Sequence, residues 1–410
     1  MKKIGASFVT LFLAWNAELV HAKVLLGVDV ARRDHFSMLK GKRVGLITNH
    51  TGVDGKGNST IDLLYKAPGV KLAALFSPEH GIRGEAKHGE AVNDARDEKT
   101  GLPVYSLYGK TKRPTDEMLK GLDVLVFDIQ DVGARFYTYI TTLAYALEEA
   151  GKRNIEFVVL DRPNPITGTI VEGEPLDPSI KHFTAYLQVP VRHGMTIGEI
   201  ANWHNQTSGL DARLTVVKME GWRRNMGWGD TGLKFRPTSP NIRNVTAAAL
   251  YPGIGSFEAT NVSVGRGTGS PFVIFGAPWI EEKILLEKLN FVNLPGFEFR
   301  AARFKPRDDI YKGEKCRGIR VIVKDRNAAR PVDLFVQTFK ILKDLYPQEF
   351  AVRWDEMARV TGSDHFQTMI ERGESAETIL VQIHDAAKDF EEKRKPYLLY
   401  KEERNQDDFR

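Results

Sequence analysis

The chain contains a single cysteine, Cys316, among its 410 residues, so it cannot form an intramolecular disulfide. Its folded state must therefore depend on a hydrophobic core rather than on covalent cross-links. The excess of one sign of charge is also small, because 58 Lys and Arg against 53 Asp and Glu give a net charge of +5. The two signs are interleaved and no basic run with interspersed aromatics occurs, which argues against nucleic acid as a partner.

Several common catalytic signatures are missing as well. Without a G-x-S-x-G segment, a hydrolase with a serine nucleophile elbow is disfavoured. Without H-E-x-x-H, and with no short ligand spacing among the histidines, no local zinc site is indicated. The glycine-rich segment 265–269 lacks the strand-to-helix context of a dinucleotide fingerprint. The sequence therefore predicts no cofactor, while a zinc site assembled from distant loops stays open as an alternative.

The N-terminus carries a short apolar run. Lys2 and Lys3 precede the run 4–15, and Val20-His21-Ala22 offers a small-residue cleavage site. This order is typical of a secretory signal peptide over residues 1–22, and the run is short for a membrane span. We expect cleavage near Ala22, export to the periplasm or the extracellular space, and no stable membrane insertion. An uncleaved N-terminal anchor is the alternative.

Four apolar, β-prone runs each end in a loop marked by polar residues, glycine or proline; they lie at 43–48, 72–77, 123–128 and 157–160. Helix-like segments alternate with these runs, which favours βαβ units and an α/β fold with a mostly parallel sheet. Open α/β sheets bind ligands at the carboxyl ends of their strands, so we expect one shared cleft there. The Gly- and Pro-rich stretch 251–278 indicates a crossing into a second domain.

Glu79 is the first candidate for acid–base chemistry. It follows Pro78 at the end of the second run, where neighbouring walls can limit water. Desolvation there would raise the pKa of the Glu79 carboxyl toward that of a general acid at neutral pH. The competing interpretation is structural, with Glu79 capping the next turn and His80 packed as an ordinary loop histidine.

Charged residues also follow the third and fourth runs. Asp128 is placed to face the cleft, whereas Asp131 and Arg135 have the spacing of a structural ion pair that fixes the loop. Arg162 is expected to project into the site from the loop that Pro163 rigidifies.

Arg192 and His193 precede a helix that begins with a capping box, Thr196 followed by Glu199. Because a helix N-terminus favours anions, Arg192 would suit a carboxylate or phosphate on a substrate. A solvated cation is the alternative interpretation of the same residue.

These segments also carry a family resemblance. The strings GKRVGLITNHTG, ALFSPEHGIRGE, DVLVFDIQDVGARFYTYI, LDRPNP, VRHGMTIGE, NVSVGRGTGSPF and KPYLLY resemble the NamZ-type exo-β-N-acetylmuramidases, from about Leu26 to Tyr400. The resemblance implies an exported glycosidase that releases terminal β-1,4-linked N-acetylmuramic acid from the non-reducing end of peptidoglycan fragments. It implies a Rossmann-like catalytic domain over 23–255 and a smaller α+β domain over 256–410 that closes the cleft.

The resemblance also implies site residues. Glu79 in SPEHG would be the catalytic acid, and the second group would be Asp128, Glu258 or the substrate's own N-acetyl group. The lactyl carboxylate of the substrate calls for an arginine, for which Arg162, Arg192 and Arg266 are candidates. The pocket would be lined by residues from the other family strings: Asn49, His80, Arg135, Arg162, Arg192, His193 and Arg266.

One departure from the family pattern affects Glu258. The family usually has glycine where Ala259 stands, and a methyl group disfavours positive φ, so Ala259 would shift Glu258 if that conformation is required. This keeps a second hypothesis open, a non-catalytic protein that binds peptidoglycan-derived muramyl saccharides. A metal-dependent hydrolase of phosphorylated or acylated sugars is the third hypothesis.

Overall fold

A computed structural model describes residues 23–84, 86–87 and 89–400, so the predicted signal peptide lies outside the described residues. Within them the strands β1 to β10 are Arg43–Thr48, Lys71–Ser77, Ala95–Arg96, Pro103–Ser106, Val124–Asp128, Glu156–Leu160, Leu214–Val217, Ile274–Ala277, Phe297–Phe304 and Cys316–Val323. The helices α1 to α11 are Gly27–Arg33, Thr60–Tyr65, Asp116–Leu119, Thr138–Lys152, Ile197–Thr207, Val245–Ile254, Glu282–Val292, Pro331–Leu345, Trp354–Thr361, His365–Glu371 and Ala376–Arg394.

The larger sheet has seven strands in the order β3-β4-β2-β1-β5-β6-β7. Only the two-residue edge strand β3 pairs antiparallel, and the other six are parallel. Numbered along the chain, those six follow the order 3-2-1-4-5-6, which is the Rossmann order. β5 is buried along its whole length, as a parallel strand covered by helices on both faces should be. The predicted α/β class with a mostly parallel sheet is confirmed.

The smaller sheet is antiparallel, in the order β8-β10-β9. Helices α7 and α8 belong to the same C-terminal part of the chain, which confirms the predicted α+β character. β8 lies inside the stretch that was expected only to cross between domains. Its Gly276 faces β10 so closely that a Cβ would meet the Arg317 carbonyl oxygen at 2.3 Å. Glycine is needed here for strand contact, although in sequence it looks like a break.

Two helices of the sheet unit begin at a side-chain cap, and a third contains a glycine near its end. Ser59 accepts the amide N–H of Ile61, and Thr196 and Glu199 form the predicted capping box. α4 continues through Gly151 to Lys152, although glycine is common just past the end of a helix. A Cβ at Gly151 would lie 3.1 Å from the Ala212 Cβ, so this glycine serves close packing instead.

Two buried arginines connect the sheet unit to the C-terminal helices. Arg135 donates to the carbonyl oxygen of Val360 in α9, and Arg394 at the end of α11 donates to that of Gly194. Burial lowers the pKa of Arg135 to about 9. No helix among the described residues is long and apolar enough to cross a membrane.

Candidate active site

A cavity of about 310 Å³ lies between the parallel sheet unit and the C-terminal unit. Its volume is within the range of small-molecule sites, roughly 300–1,000 Å³. The sheet unit contributes Glu79, His80, Phe136, Tyr137, Thr138, Thr184, Ser239 and Ile242. The chain from α6 onward contributes Tyr251, Gly255, Glu258, Ala259, Arg266, Phe272, Asp309, Glu356, Arg359 and Val360. The structure thus brings together four of the residues predicted from sequence: Glu79, His80, Glu258 and Arg266.

Glu79 lies on the side of the cavity that the sheet unit forms. β2 ends at Ser77, and the Glu79 side chain that follows is only 3% exposed. The Thr138 hydroxyl donates to Oε2 at 2.7 Å and the Gly89 amide donates to Oε1 at 3.1 Å. Since Thr138 is the first residue of α4, the carboxyl group is oriented by a helix start as well as by its own strand.

His80 follows in a strained conformation. Its φ is 70°, in the left-handed region that residues other than glycine seldom adopt. Nδ1 lies 2.8 Å from the Ala86 carbonyl oxygen, so this nitrogen carries the proton and donates. Strain of this kind is concentrated at functional sites, and here it directs the imidazole into the cavity wall.

Glu258 faces the cavity from the C-terminal side, paired with Arg266. Nε and Nη2 of Arg266 donate to the two carboxylate oxygens, the second at 3.2 Å. Burial alone would lower the pKa of Arg266, but the Glu258 carboxylate raises it above its ordinary value. The guanidinium also lies 4.9 Å from the Phe272 ring centroid, which fixes its plane.

Ala259 fits its position without strain. Residues Gly255–Ala259 form a single 3-10 turn, and position 259 is not among those with positive φ. The displacement of Glu258 that a positive φ would have caused is therefore not required.

Tyrosines near the two carboxylates stay protonated at neutral pH. Burial, followed by the Glu258 carboxylate, raises the pKa of Tyr251 well above its ordinary value. Burial also raises the pKa of Tyr137, and burial together with Glu79 raises that of Tyr108. Their hydroxyl groups are therefore hydrogen-bond donors beside a carboxylate-lined cavity.

Asp128 and Arg162 lie elsewhere. Nε and Nη2 of Arg162 donate to Asp128 at 2.6 and 2.9 Å, and both residues are buried. Thr60 also donates to the Asp128 carboxylate. Arg162 borders a separate pocket at the carboxyl ends of β1, β5 and β6. The structure does not bring Asp128 into the cavity that holds Glu79.

Arg192 and His193 are also outside the cavity wall. Nη1 of Arg192 donates to Glu172 at 2.6 Å in a buried ion pair. Nδ1 of His193 accepts the Met195 amide at 3.2 Å, and its Nε2 lies 3.7 Å from Asp131. The anion that the helix start was expected to attract is thus supplied by the protein itself.

Asn49 and Arg135 organise loops. Asn49 Oδ1 accepts the Thr51 amide at 2.9 Å, and its Nδ2 donates to the Tyr139 hydroxyl at 2.9 Å. Arg135 does not form the predicted ion pair with Asp131. Its guanidinium donates to three carbonyl oxygens instead, those of Glu174, Val189 and Val360.

Arg359 is a cavity residue that the sequence did not single out. It lies on α9, and its Nη2 is 4.0 Å from the Glu356 carboxylate, beyond hydrogen-bonding distance. The other oxygen of Glu356 accepts from Arg353 at 2.7 Å. In sequence, a short helix with alternating charges is typical of a solvated face, so no local pattern would have found Arg359.

No group of three His, Cys, Asp or Glu side chains in the described ranges is arranged to hold a metal ion. The fold and the cavity define a class of protein, a two-domain α/β protein whose cavity is lined by carboxylates from both domains.

Comparison with known proteins agrees with this class. Models of the two domains of exo-β-N-acetylmuramidase NamZ match residues 44–246 and 249–400. The chain is 47% identical over 379 residues to the peptidoglycan β-N-acetylmuramidase NamZ of Bacillus subtilis (strain 168), which covers 92% of each chain. The chain therefore belongs to the NamZ family of exo-β-N-acetylmuramidases, as its motifs predicted.

Two crystal structures of DUF1343 family proteins from Bacteroides fragilis share the fold. One is 40% identical with a TM-score of 0.87, and the match covers 92% of this chain and 99% of that protein. The other is 30% identical with a TM-score of 0.74, over 93% and 100% of the two chains.

The position of Asp128 gives a testable expectation about stability. Asp128→Asn should lower the free energy of unfolding by about 3–5 kcal/mol, because it leaves the buried Arg162 cation without its carboxylate. Urea unfolding of the variant and the wild type would measure the difference. Asp211→Asn, at an exposed aspartate, should change stability little and serves as the control. An Asp128 variant as stable as the wild type would contradict this structural role.

Proposed function

We propose that the protein is an exo-acting glycosidase that releases terminal β-1,4-linked N-acetylmuramic acid from the non-reducing end of peptidoglycan fragments, in cell-wall turnover or salvage. The observation that carries the proposal is the shared cavity of Glu79 and Glu258, one from each unit, in a chain of the NamZ family. Its relative from Bacillus subtilis is named a peptidoglycan β-N-acetylmuramidase, which supports this proposal.

In this mechanism Glu79 is the general acid. Its proton passes to the glycosidic oxygen as the bond from that oxygen to the anomeric carbon breaks, and the leaving sugar departs as an alcohol. Water then adds to the anomeric carbon, and its proton restores Glu79. The buried position of Glu79 and its contacts with Thr138 and Gly89 support this role, because they fix the carboxyl group in one orientation.

Glu258 is the second carboxylate in this proposal. It would assist at the anomeric carbon, with Arg266 holding both of its oxygens in position. Asp128 is the weaker choice, because its oxygens are occupied by Arg162 and Thr60 outside the cavity. Assistance by the substrate's own N-acetyl group is the mechanism that competes with Glu258.

Recognition of the lactyl carboxylate falls to Arg359 in this proposal. N-acetylmuramic acid differs from N-acetylglucosamine by that group, so a cation must meet it inside the cavity. Arg162 and Arg192 are held in buried ion pairs, and Arg266 is bound to Glu258. Arg359 lines the cavity with no carboxylate closer than 4.0 Å among the described residues.

The acid is tested with the disaccharide of N-acetylmuramic acid β-1,4-linked to N-acetylglucosamine. Glu79→Gln should reduce release of the two sugars by roughly 10²–10⁴-fold or more, because the amide cannot donate the required proton. Mass spectrometry would follow the free monosaccharides. Glu98→Gln, at an exposed glutamate of the same region, should retain wild-type activity.

Two results would contradict these assignments. If the wild type binds the disaccharide but releases nothing, the protein is a binding protein for muramyl saccharides rather than a glycosidase. If Glu79→Gln cleaves as fast as the wild type, the glycosidase stands and another residue is the acid.

Arg359 is tested by comparing sugars with and without the lactyl group. Arg359→Met should weaken binding of N-acetylmuramic acid by about 10–100-fold, which corresponds to one charge-assisted hydrogen-bonded pair. Binding of N-acetylglucosamine, measured by the same calorimetry, should be unchanged. Arg372→Met, at an exposed arginine, is the matched control. Equal losses for both sugars would show that Arg359 shapes the cavity without reading the carboxylate.

We also propose that the chain is exported after removal of residues 1–22. The charged start, apolar run and small-residue site support this, as does a substrate that lies in the cell envelope. Protein sequencing of the periplasmic or secreted fraction should find an N-terminus at Lys23. Recovery of the protein in the cytoplasm with Met1 still present would contradict export.

A further inference from the structure

A surface beside the cavity extends from Glu79 and has no part in the mechanism above. The acid of a glycosidase protonates the leaving oxygen, so the rest of the glycan strand must lie on the side of Glu79. Given the proposed function, residues that continue outward from Glu79 would face that strand. The nearest is Tyr108, after β4, whose pKa is raised by burial and by the Glu79 carboxylate.

A row of aromatic rings starts at Tyr108. Its ring centroid lies 5.6 Å from that of Phe183, which lies 5.8 Å from that of Tyr145. Tyr186 follows at 4.6 Å. Phe183 adjoins Thr184, which lines the cavity, so the row begins at the cavity mouth and leads away from it.

Two exposed lysines rest on this row. The Lys112 ammonium lies 4.5 Å from the Phe183 centroid and 5.4 Å from that of Tyr108. The Lys181 ammonium lies 5.2 Å from the Tyr186 centroid. Such contacts hold an ammonium group over the ring, and among the described residues no carboxylate forms an ion pair with either lysine. We call Lys112, Lys181 and these rings the cationic ledge.

Two further basic residues, Arg113 and His182, lie close to the cationic ledge. Arg113 also contacts the row, 3.7 Å from the Tyr145 centroid, but it is neutralised by Glu148 at 2.6 Å. His182 adjoins Lys181 in the chain, and its pKa is lowered by burial and then by the charges of Arg359 and Lys112, against the opposing effect of Glu356. His182 therefore lies within range of both Arg359, which lines the cavity, and Lys112 on the ledge.

We propose that the cationic ledge binds the leaving glycan strand through carboxylates on its next muramyl residue. In peptidoglycan the terminal N-acetylmuramic acid is followed by N-acetylglucosamine and then by another muramyl residue. That residue carries a lactyl carboxylate or, when substituted, a peptide stem with carboxylates of its own. Lysine ammonium groups held on rings are suited to either as point charges.

The test compares the disaccharide with a tetrasaccharide that adds one more N-acetylmuramic acid–N-acetylglucosamine unit. Lys112→Gln should lower kcat/KM for the tetrasaccharide by about 10-fold through KM, and added salt should reduce the wild-type preference for it. The disaccharide does not reach the ledge and is the internal reference. Lys110→Gln, at an exposed lysine of the same loop with no ring contact, should change neither substrate.

Equal effects of Lys112→Gln on the disaccharide and on the tetrasaccharides, or no effect on the tetrasaccharide either with or without a peptide stem, would overturn the proposal. A tetrasaccharide with a peptide stem on its internal muramyl residue identifies the carboxylate. A loss confined to the stem-free tetrasaccharide assigns the lactyl group, and a loss confined to the stem-bearing one assigns the stem.

A second measurement separates failure of the ledge from failure of the proposed function. Calorimetry would compare tetrasaccharide binding by Glu79→Gln with binding by the double variant that also carries Lys112→Gln. If the wild type cleaves neither saccharide, the proposed function fails, and this difference in affinity still decides the ledge. A double variant that binds as tightly as Glu79→Gln would rule it out.

Discussion

A fully buried guanidinium joins the two walls of the cavity. Arg135 follows β5 and donates to two carbonyl oxygens of the sheet unit and to that of Val360 in α9. Leaving a buried cation without its hydrogen-bond acceptors is costly, so the bonds from Nη1 and Nη2 hold α9 against the sheet. The same segment after β5 leads to Thr138, which orients Glu79, while α9 carries Arg359. The distance between Glu79 and Arg359 across the cavity therefore depends on Arg135.

At the crevice where sheets of this strand order usually bind ligands, this protein has a buried ion pair. In Rossmann-type sheets the crevice opens at the switch point between the first strand and its neighbour from the second half, here β1 and β5. Asp128 and Arg162 form their buried ion pair at this place. The carboxylates of the cavity are instead Glu79, after the adjacent strand β2, and Glu258, from the C-terminal unit. Because the site lies to one side of the crevice, the C-terminal unit can contribute residues to its wall.

Local pattern was enough to predict the sheet and the position of Glu79, because strand hydrophobicity and strand-end loops are short-range features. Local pattern was not enough to predict which residue each charged side chain pairs with. Arg192 has the setting of an anion site, yet Glu172 neutralises it from 20 residues away. β8 was missed since its glycine serves contact with β10, which lies far along the chain. The family motifs added Glu258, which no local pattern distinguishes from a surface glutamate.

Four basic residues considered for substrate binding differ in whether a carboxylate of the protein lies close to them. Arg162 and Arg192 form buried ion pairs with carboxylates of the protein. A substrate anion could bind either arginine only by displacing that carboxylate. Arg359 lies on a helix at the cavity and Lys112 rests on two rings, and in the described part of the chain neither has a carboxylate closer than 4.0 Å. Under the two proposals made above, Arg359 takes the lactyl carboxylate of the terminal sugar and Lys112 takes a carboxylate further along the strand. Neither contact with the substrate then requires a buried ion pair of the fold to break.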